Sequence, residues 1–168
     1  MDWIAQLEAW EQQAGPEENW QLATYSKFPL HLVKGQGSRV QDQQGRWYWD
    51  FYGGHCVALL GHSHPTWAAL IGAQATRLGF YSNVVYSPLR AAACKAIVDF
   101  SPPNLTKVFL SNSGAEANEV ALKLARHHTH RSEIVAMQAG FHGRTLGALA
   151  VTASEKYRKY AAPEYGQI

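Results

Sequence analysis

Residues 111–119, with the sequence SNSGAEANE, constrain the fold of this chain more than any other stretch. They follow a short apolar run at 108–110 that predicts a buried strand, and they open onto residues 120–126, which are rich in strong helix formers. A strand that turns through small residues into a helix leaves several backbone N–H groups without intrahelical acceptors, and the helix dipole adds partial positive charge there. This pattern predicts a cup for an anion such as a phosphate.

Composition and charge exclude several classes of protein. The 168 residues are 46% hydrophobic and carry a formal net charge of +2, which is too small and too dispersed to indicate nucleic acid or a membrane surface as a partner. No apolar run approaches membrane-spanning length, and the N-terminus lacks the basic region and apolar core of a signal peptide. Cys56 and Cys94 lie outside any CxxC pattern, which indicates reduced thiols. We therefore expect a cytoplasmic protein.

The first part of the chain predicts one helix and one β-hairpin. Apolar residues recur at helical spacing behind Asp2, a candidate N-cap, and Gly15 ends that helix. Residues 38–42 and 46–51 alternate in polarity like strands on either side of a turn at 43–45.

The rest of the chain predicts helices that alternate with buried strands. Prolines suited to a first helical turn begin two helices: Pro65 to about Leu78, and Pro88, capped by Ser87, to about Phe100. Three apolar runs predict buried strands at residues 108–110, 134–137 and 149–151. This order of elements indicates an α/β fold with a largely parallel sheet and flanking helices.

Two motifs in this order carry a resemblance to a known enzyme family. The first is SGAEANE at residues 113–119, and the second is FHGR at residues 141–144. Together they resemble the class III aminotransferases, which use pyridoxal phosphate on the type I fold, and within them the acetylornithine and ornithine aminotransferase group. Shorter upstream motifs agree with this resemblance: residues 34–40, 42–45, 50–51, 53–54, 60–62 and 64–65. The resemblance spans roughly residues 30–160.

The resemblance also implies a domain organisation. Residues 1–60, with the N-terminal helix and the hairpin, correspond to a segment that belongs to the small domain. Residues 61–168 correspond to the first part of the large domain that binds pyridoxal phosphate, and we expect the chain to be truncated within that domain.

The resemblance assigns cofactor-binding roles to four residues. Gly114 and Ala115 match the pair whose backbone amides hold the cofactor phosphate, which agrees with the anion cup predicted from the helix start, and Ser113 can add its hydroxyl. Phe141 matches the aromatic residue that stacks on the pyridine ring, where a flat apolar face is favourable through dispersion and burial.

Arg144 matches the residue that binds the α-carboxylate of the amino-acid substrate. A guanidinium group suits this role because it donates two parallel hydrogen bonds to a carboxylate and stays charged. His142 lies beside the ring-stacking position, and it is the one histidine to which we assign a candidate functional role.

Other polar residues near these motifs have simpler interpretations. Glu116 and Glu119 complement the dipole of the first turns of the helix after the cup. Three histidines lie at the end of that helix without a spaced partner, so we predict no metal site: His127, His128 and His130. His62 and His64 are structural loop residues in the family.

The sequence contains no match to the lysine that forms the Schiff base with the cofactor in this family. Seven lysines are present, and none has the family's Schiff-base context: Lys27, Lys34, Lys95, Lys107, Lys123, Lys156 and Lys159. In the family, this lysine and the carboxylate that pairs with the pyridine nitrogen both arrive well downstream of the second motif. We therefore predict no catalytic residue among these 168.

The resemblance implies an aminotransferase that moves an amino group from an ω-amino acid such as N-acetylornithine to 2-oxoglutarate. Its partners would be these small molecules and a second subunit, either a copy of itself or a full-length paralogue. Other interpretations stay open: a non-catalytic remnant that pairs with a full-length aminotransferase, an aminomutase of the same fold, an enzyme of 4-aminobutyrate or lysine metabolism, or an unrelated phosphate-binding domain.

The absent lysine predicts that the 168-residue polypeptide has no transaminase activity by itself, because a lysine amine both carries the cofactor and moves the substrate proton. The measurement is turnover of N-acetylornithine and 2-oxoglutarate by the purified polypeptide with added pyridoxal phosphate. Robust turnover would contradict this expectation.

Overall fold

The structure is a computed structural model that describes residues 2–159. The chain divides into two compact units, the first ending at Ser82 and the second beginning at Asn83. Within residues 2–159, no helix combines the length and the apolar character that crossing a membrane requires. The predicted domain boundary near residue 60 stays a prediction.

The first unit begins with helix α1, Trp3–Ala14, as the sequence predicts. The Asp2 carboxylate accepts hydrogen bonds from the backbone N–H groups of Ile4 (3.0 Å) and Ala5 (3.2 Å), which have no intrahelical acceptor. Gly15 ends the helix at a φ of 71°. A short 3₁₀ helix follows at Glu17–Asn19.

A three-stranded antiparallel sheet forms the middle of the first unit. Its strands are β1, Leu32–Gln36, β2, Arg39–Asp42, and β3, Trp47–Trp49, in the spatial order β1-β2-β3. The β2–β3 pair is the predicted hairpin, with Val40 opposite Tyr48. Strand β1 was not predicted, because its residues do not alternate in polarity as the hairpin strands do.

The Asp42 side chain, which is only 1% exposed, fixes the β2–β3 turn. Its carboxylate accepts hydrogen bonds from the Gln44 N–H (3.0 Å), the Arg46 N–H (2.9 Å), the Arg46 Nε (2.8 Å) and the Tyr48 hydroxyl (2.7 Å). Burial acts to raise the pKa of Asp42, but the hydrogen bonds from Tyr48 and Arg46 outweigh it and lower that pKa from 3.8 to about 2. The ionised carboxylate is therefore the form that holds the hairpin.

A second carboxylate ties the sheet to the loop that follows it. One oxygen of Asp50 accepts the N–H groups of Tyr52 (2.9 Å) and Gly53 (2.8 Å), and the other lies 2.7 Å from His62 Nε2. The His62 backbone also pairs with Gly37 in an antiparallel bridge. His62 is thus part of the loop structure, as the family resemblance implies. A short turn, α2, Gly53–Cys56, lies between these contacts.

The long helices match the sequence prediction. In the first unit, helix α3 spans Pro65–Leu78 and begins behind His64, whose ring nitrogen accepts from the Trp67 N–H (3.4 Å). In the second unit, helix α4 spans Pro88–Phe100, and the Ser87 hydroxyl accepts from the Arg90 N–H (3.3 Å).

The second unit continues with three more helices. Helix α5, Gly114–Thr129, follows the predicted cup, with Ser113 as its N-cap and His130 as its left-handed C-cap. Helix α6 spans Leu146–Ala150, and α7 spans Glu155–Arg158. The buried hydrophobic residues of the described chain all lie in or beside α6: Ala148, Leu149 and Val151.

The predicted parallel sheet is not assembled among residues 2–159. Residues 108–110 and 134–137 belong to no hydrogen-bonded ladder, because each lacks a neighbouring strand to supply the partner N–H and C=O groups. The strand predicted at 149–151 is wrong, since its first two residues end helix α6. The apolar run had the right burial but the wrong period, because Leu and Ala are strong helix formers.

Because the folded-state pKa of Asp42 is depressed, its contribution to stability is present above pH 4 and is lost as the pH falls toward 2. We expect Asp42→Asn to lower the melting temperature of the first unit at pH 7 and to remove this part of the acid dependence. Thermal unfolding followed by circular dichroism between pH 2 and 7 measures both effects. Glu8→Gln, on the exposed side of α1, is the control and should change neither.

Candidate functional site

The N-terminus of helix α5 lies at the stretch where the sequence predicts an anion cup. The Ser113 hydroxyl accepts from the Glu116 N–H (3.2 Å) and lies 2.9 Å from Glu116 Oε2, to which it donates. Ser113 thus caps the helix as in a capping box, but the Glu116 carboxylate accepts the Ser113 hydroxyl and not the Ser113 backbone N–H. Glu116 lies in the first turn, where its charge complements the helix dipole, in keeping with the interpretation made from the sequence.

Two backbone donors remain available at this helix start. Among the described residues, no acceptor is in hydrogen-bonding range of the N–H groups of Gly114 and Ala115. Gly114 is exposed, and no other part of the described chain lies within 4 Å of the position that a β-carbon would take there. An anion can therefore approach both N–H groups, aided by the dipole of a 16-residue helix.

The loop that carries the FHGR motif packs directly against this helix start. A β-carbon on Gly143 would lie 2.7 Å from the Ala115 β-carbon and 3.0 Å from that of Ala148, so only glycine allows this approach. The φ of Gly143 is also +133°, a conformation that L side chains rarely adopt. The contact between Ala115 and Gly143 thus brings the two motifs together.

Buried hydrogen bonds hold the shape of this loop. The Thr152 hydroxyl is fully buried, accepts from the His142 N–H (3.0 Å) and lies within 3.1 Å of the carbonyl oxygens of Gly143 and Ala148. His142 Nδ1 lies 2.9 Å from the Val151 carbonyl oxygen. Since a carbonyl only accepts, Nδ1 carries the proton, and a neutral His142 keeps Nε2 as an acceptor.

Sequence analysis missed the role of two side chains on α5. Asn118 Nδ2 donates to the His142 carbonyl oxygen (2.6 Å), and Glu119 Oε1 accepts from the N–H groups of Gly147 (2.8 Å) and Ala148 (3.1 Å). Glu119 therefore caps the start of helix α6 rather than its own helix. The spacing of residues 115, 118 and 119, three and four apart on one helical face, was the available signal.

The predicted cofactor-stacking and substrate residues flank this contact. Phe141 is 57% exposed, and its ring meets the Tyr157 ring edge to face, with centroids 5.3 Å apart. Arg144 is exposed on the other side of Gly143. The loop that packs against the start of α5 at Gly143 therefore carries an exposed aromatic ring and an exposed arginine.

The described residues were also compared with the arrangements of side chains that bind metal ions. Across residues 2–159, no group of three or more His, Cys, Asp or Glu side chains is arranged to hold a metal ion. His127 and His130 face each other only through a ring contact, with centroids 6.4 Å apart.

Comparison with known proteins identifies the family. The family model described as "Aminotransferase class-III" matches residues 21–168. The chain belongs to the class III aminotransferases. It is 40% identical over 146 residues to the acetylornithine aminotransferase of Methanopyrus kandleri, a match that covers 87% of this chain and 38% of that protein. The chain thus spans well under half the length of the curated relatives that it matches.

Solved structures of class III aminotransferases share the fold. The adenosylmethionine-8-amino-7-oxononanoate aminotransferase of Methanocaldococcus jannaschii matches with a TM-score of 0.80 and 27% identity, over 93% of this chain and 37% of that chain. The ornithine aminotransferase of Toxoplasma gondii matches with a TM-score of 0.80 and 25% identity, over 94% of this chain and 41% of that chain. The type I fold predicted from the sequence is confirmed by these matches.

Class III aminotransferases depend on pyridoxal phosphate, and the site has features that fit this cofactor. The unpaired N–H groups of Gly114 and Ala115 suit its phosphate, and the open space at Gly114 admits it. The exposed ring of Phe141 offers an apolar face of the kind that an aromatic cofactor stacks against. The individual site residues stay predictions.

The tight contact at Gly143 makes a direct prediction. Gly143→Ala forces either the loop or α5 to move, and we expect a loss of about 1–3 kcal/mol in the free energy of unfolding, the usual cost of overpacking. Denaturant unfolding of the variant measures the loss. Gly72→Ala, on helix α3 where a β-carbon meets no described atom within 4 Å, should be neutral or slightly stabilising.

Proposed function

We propose that this chain forms the phosphate- and substrate-binding part of a pyridoxal-phosphate-dependent aminotransferase of the acetylornithine and ornithine type. The observation that carries the proposal is the contact between Ala115 and Gly143. It sets two unpaired backbone donors beside a loop that presents an aromatic ring and a guanidinium group. The cofactor carries a phosphate and an aromatic ring, and its substrate carries a carboxylate. Binding them together requires these three protein groups to lie close to one another.

The cofactor would be held at two points. The N–H groups of Gly114 and Ala115 bind the phosphate, and the Phe141 ring packs against the pyridine face. The Ser113 hydroxyl is engaged with Glu116, so its contribution is to hold the cup rather than to supply a free donor. When bound, pyridoxal phosphate supplies an electron sink for the substrate α-carbon.

Arg144 would orient the substrate through its α-carboxylate. Both the amino donor and 2-oxoglutarate carry such a carboxylate, so one guanidinium group serves both half-reactions. The bidentate geometry of the pair fixes the α-carbon relative to the ring, and this orientation is a large part of what a protein contributes to such a reaction. We assign His142 a supporting role beside the ring through its Nε2 acceptor.

The choice of substrate rests on the curated relatives. The protein from Methanopyrus kandleri is named an acetylornithine aminotransferase and is 40% identical to this chain. The solved neighbours are named for other substrates and are less similar, at 25–27% identity. We therefore favour N-acetylornithine as the amino donor and 2-oxoglutarate as the acceptor.

A second subunit would complete the site, either another copy or a full-length paralogue. Extensive apolar exposure supports this part of the proposal. Helices α3 and α4 bury none of their residues, and the exposed fractions of Ile71, Leu89 and Ile97 range from 45% to 58%. Such faces are usually covered in a finished protein. The cytoplasmic location stays a prediction.

Substitutions at Phe141 and Arg144 test the proposal, with cofactor binding measured on this chain and turnover measured on its complex with a full-length paralogue that supplies the catalytic lysine. Phe141→Ala should weaken binding of pyridoxal phosphate about tenfold, because an aromatic contact is lost. Arg144→Gln should leave that affinity within about twofold and raise KM for both substrates by about ten- to a hundredfold, because a charge-assisted pair is lost. Tryptophan fluorescence titration and steady-state kinetics measure these effects.

Arg131→Gln, an exposed arginine beyond the end of α5, is the matched control and should change neither quantity. An unrelated phosphate-binding domain would bind pyridoxal phosphate itself equally well in all three variants, with no loss in Phe141→Ala. That result would contradict the proposal that this site binds the cofactor and substrate of an aminotransferase.

A further inference from the structure

We propose that Asn118 and Glu119 are positioning residues, which hold the loop carrying Phe141 and Arg144 in register with the anion cup on the same helix. The proposal rests on the proposed function and deepens it. It concerns residues that touch neither the cup's open donors nor the exposed faces of Phe141 and Arg144.

The first part of the argument is placement. Gly114 and Ala115 begin helix α5, and Asn118 and Glu119 follow one turn later on the face that Ala115 occupies. The first turns of α5 therefore present both the cup and the side chains of Asn118 and Glu119, whose hydrogen bonds to the loop we call the tethers. Any displacement of the helix start carries the loop with it.

The second part is the choice of atoms that the tethers hold. Asn118 Nδ2 donates to the carbonyl oxygen of His142, between the aromatic residue and the arginine (2.6 Å). Glu119 accepts two N–H groups in the first turn of α6, those of Gly147 and Ala148. Arg144 thus lies between two fixed points of the loop, and Phe141 directly precedes the first. The side chains that hold these points lie 24 and 29 residues earlier in the chain.

The third part is that Glu119 supplies what α6 lacks. Thr145, the N-cap of α6, makes no capping hydrogen bond with its own side chain. Instead, a hydrogen bond from its hydroxyl is the largest effect that lowers the pKa of Glu119, against burial, which raises it. Glu119 is therefore ionised at neutral pH, and its negative charge meets the positive end of α6.

The fourth part is the close packing of the loop against α5. A β-carbon on Gly147 would collide with the Glu119 carboxylate, and one on Gly143 would collide with Ala115. The loop is therefore seated in van der Waals contact at both glycines.

A purely structural role would give a different result, so the experiment separates loop position from global stability. Trypsin cleaves after arginine, and Arg144 lies in an exposed part of the loop, so its cleavage rate reports how firmly the loop is held. We expect Asn118→Ala and Glu119→Ala to speed cleavage after Arg144 about tenfold at 25 °C, measured by mass spectrometry of the fragments. Glu133→Gln, an exposed carboxylate beyond α5, is the control and should match the wild type.

The second readout is substrate binding, measured on the complex of this chain with a full-length paralogue that supplies the catalytic lysine. With the loop released, KM for the amino donor should rise about tenfold, while inorganic phosphate should compete for the cup with an affinity within about twofold of the wild type. Glu119→Gln keeps one acceptor oxygen and should recover most of both losses. Equal cleavage rates and equal KM values in folded variants would overturn the proposal, even if the melting temperature fell.

Two further arms keep the test decisive. If an alanine variant does not fold, Asn118→Ser and Glu119→Ser replace it, since a serine side chain is too short to reach the loop, and unchanged cleavage in both overturns the proposal. If the wild type itself fails to bind pyridoxal phosphate, the proposed function fails. The cleavage assay still decides whether Asn118 and Glu119 hold the loop.

Discussion

The candidate site depends on one close approach, between Ala115 at the start of α5 and Gly143 in the FHGR loop. Gly143 has no side chain, and its backbone lies against the methyl group of Ala115, where a β-carbon on Gly143 would collide. The approach turns two separate features, a set of unpaired N–H groups and a loop with a ring and a guanidinium group, into one binding surface. The buried hydroxyl of Thr152 and the side chains of Asn118 and Glu119 all serve to maintain it.

Polar contacts, rather than a large apolar core, organise both units. In the first, Asp42 gathers four donors around the hairpin turn, and Asp50 joins the sheet to the following loop. In the second, Glu119 caps a helix that is distant in sequence. Buried hydrogen-bonded carboxylates specify one geometry because any other leaves a charge or a donor unpaired. The long helices, in contrast, bury none of their residues.

Features that depend on interactions between neighbouring residues were predicted correctly from the sequence, and features that depend on distant residues were not. The starts of α1, α3 and α4 were predicted because a cap and the N–H groups that it accepts lie within three residues of each other. Strand β1 and helix α6 were not, since β1 needs β2 as a partner and α6 is capped by Glu119. The unpaired segments at 108–110 and 134–137 show the same limit, because an apolar run becomes a strand only where a neighbour supplies its hydrogen bonds.

The amino-acid sequence alone indicated the family, the order of the motifs and a candidate anion cup, because small residues before a helix free their N–H groups whatever lies elsewhere. Only the tertiary structure decided that Gly143 lies on Ala115, that Ser113 is occupied with Glu116, and that Glu119 caps another helix. The physical reason is that these outcomes depend on distances between side chains, many of them far apart along the chain. Local periodicity and propensity carry no information about such distances.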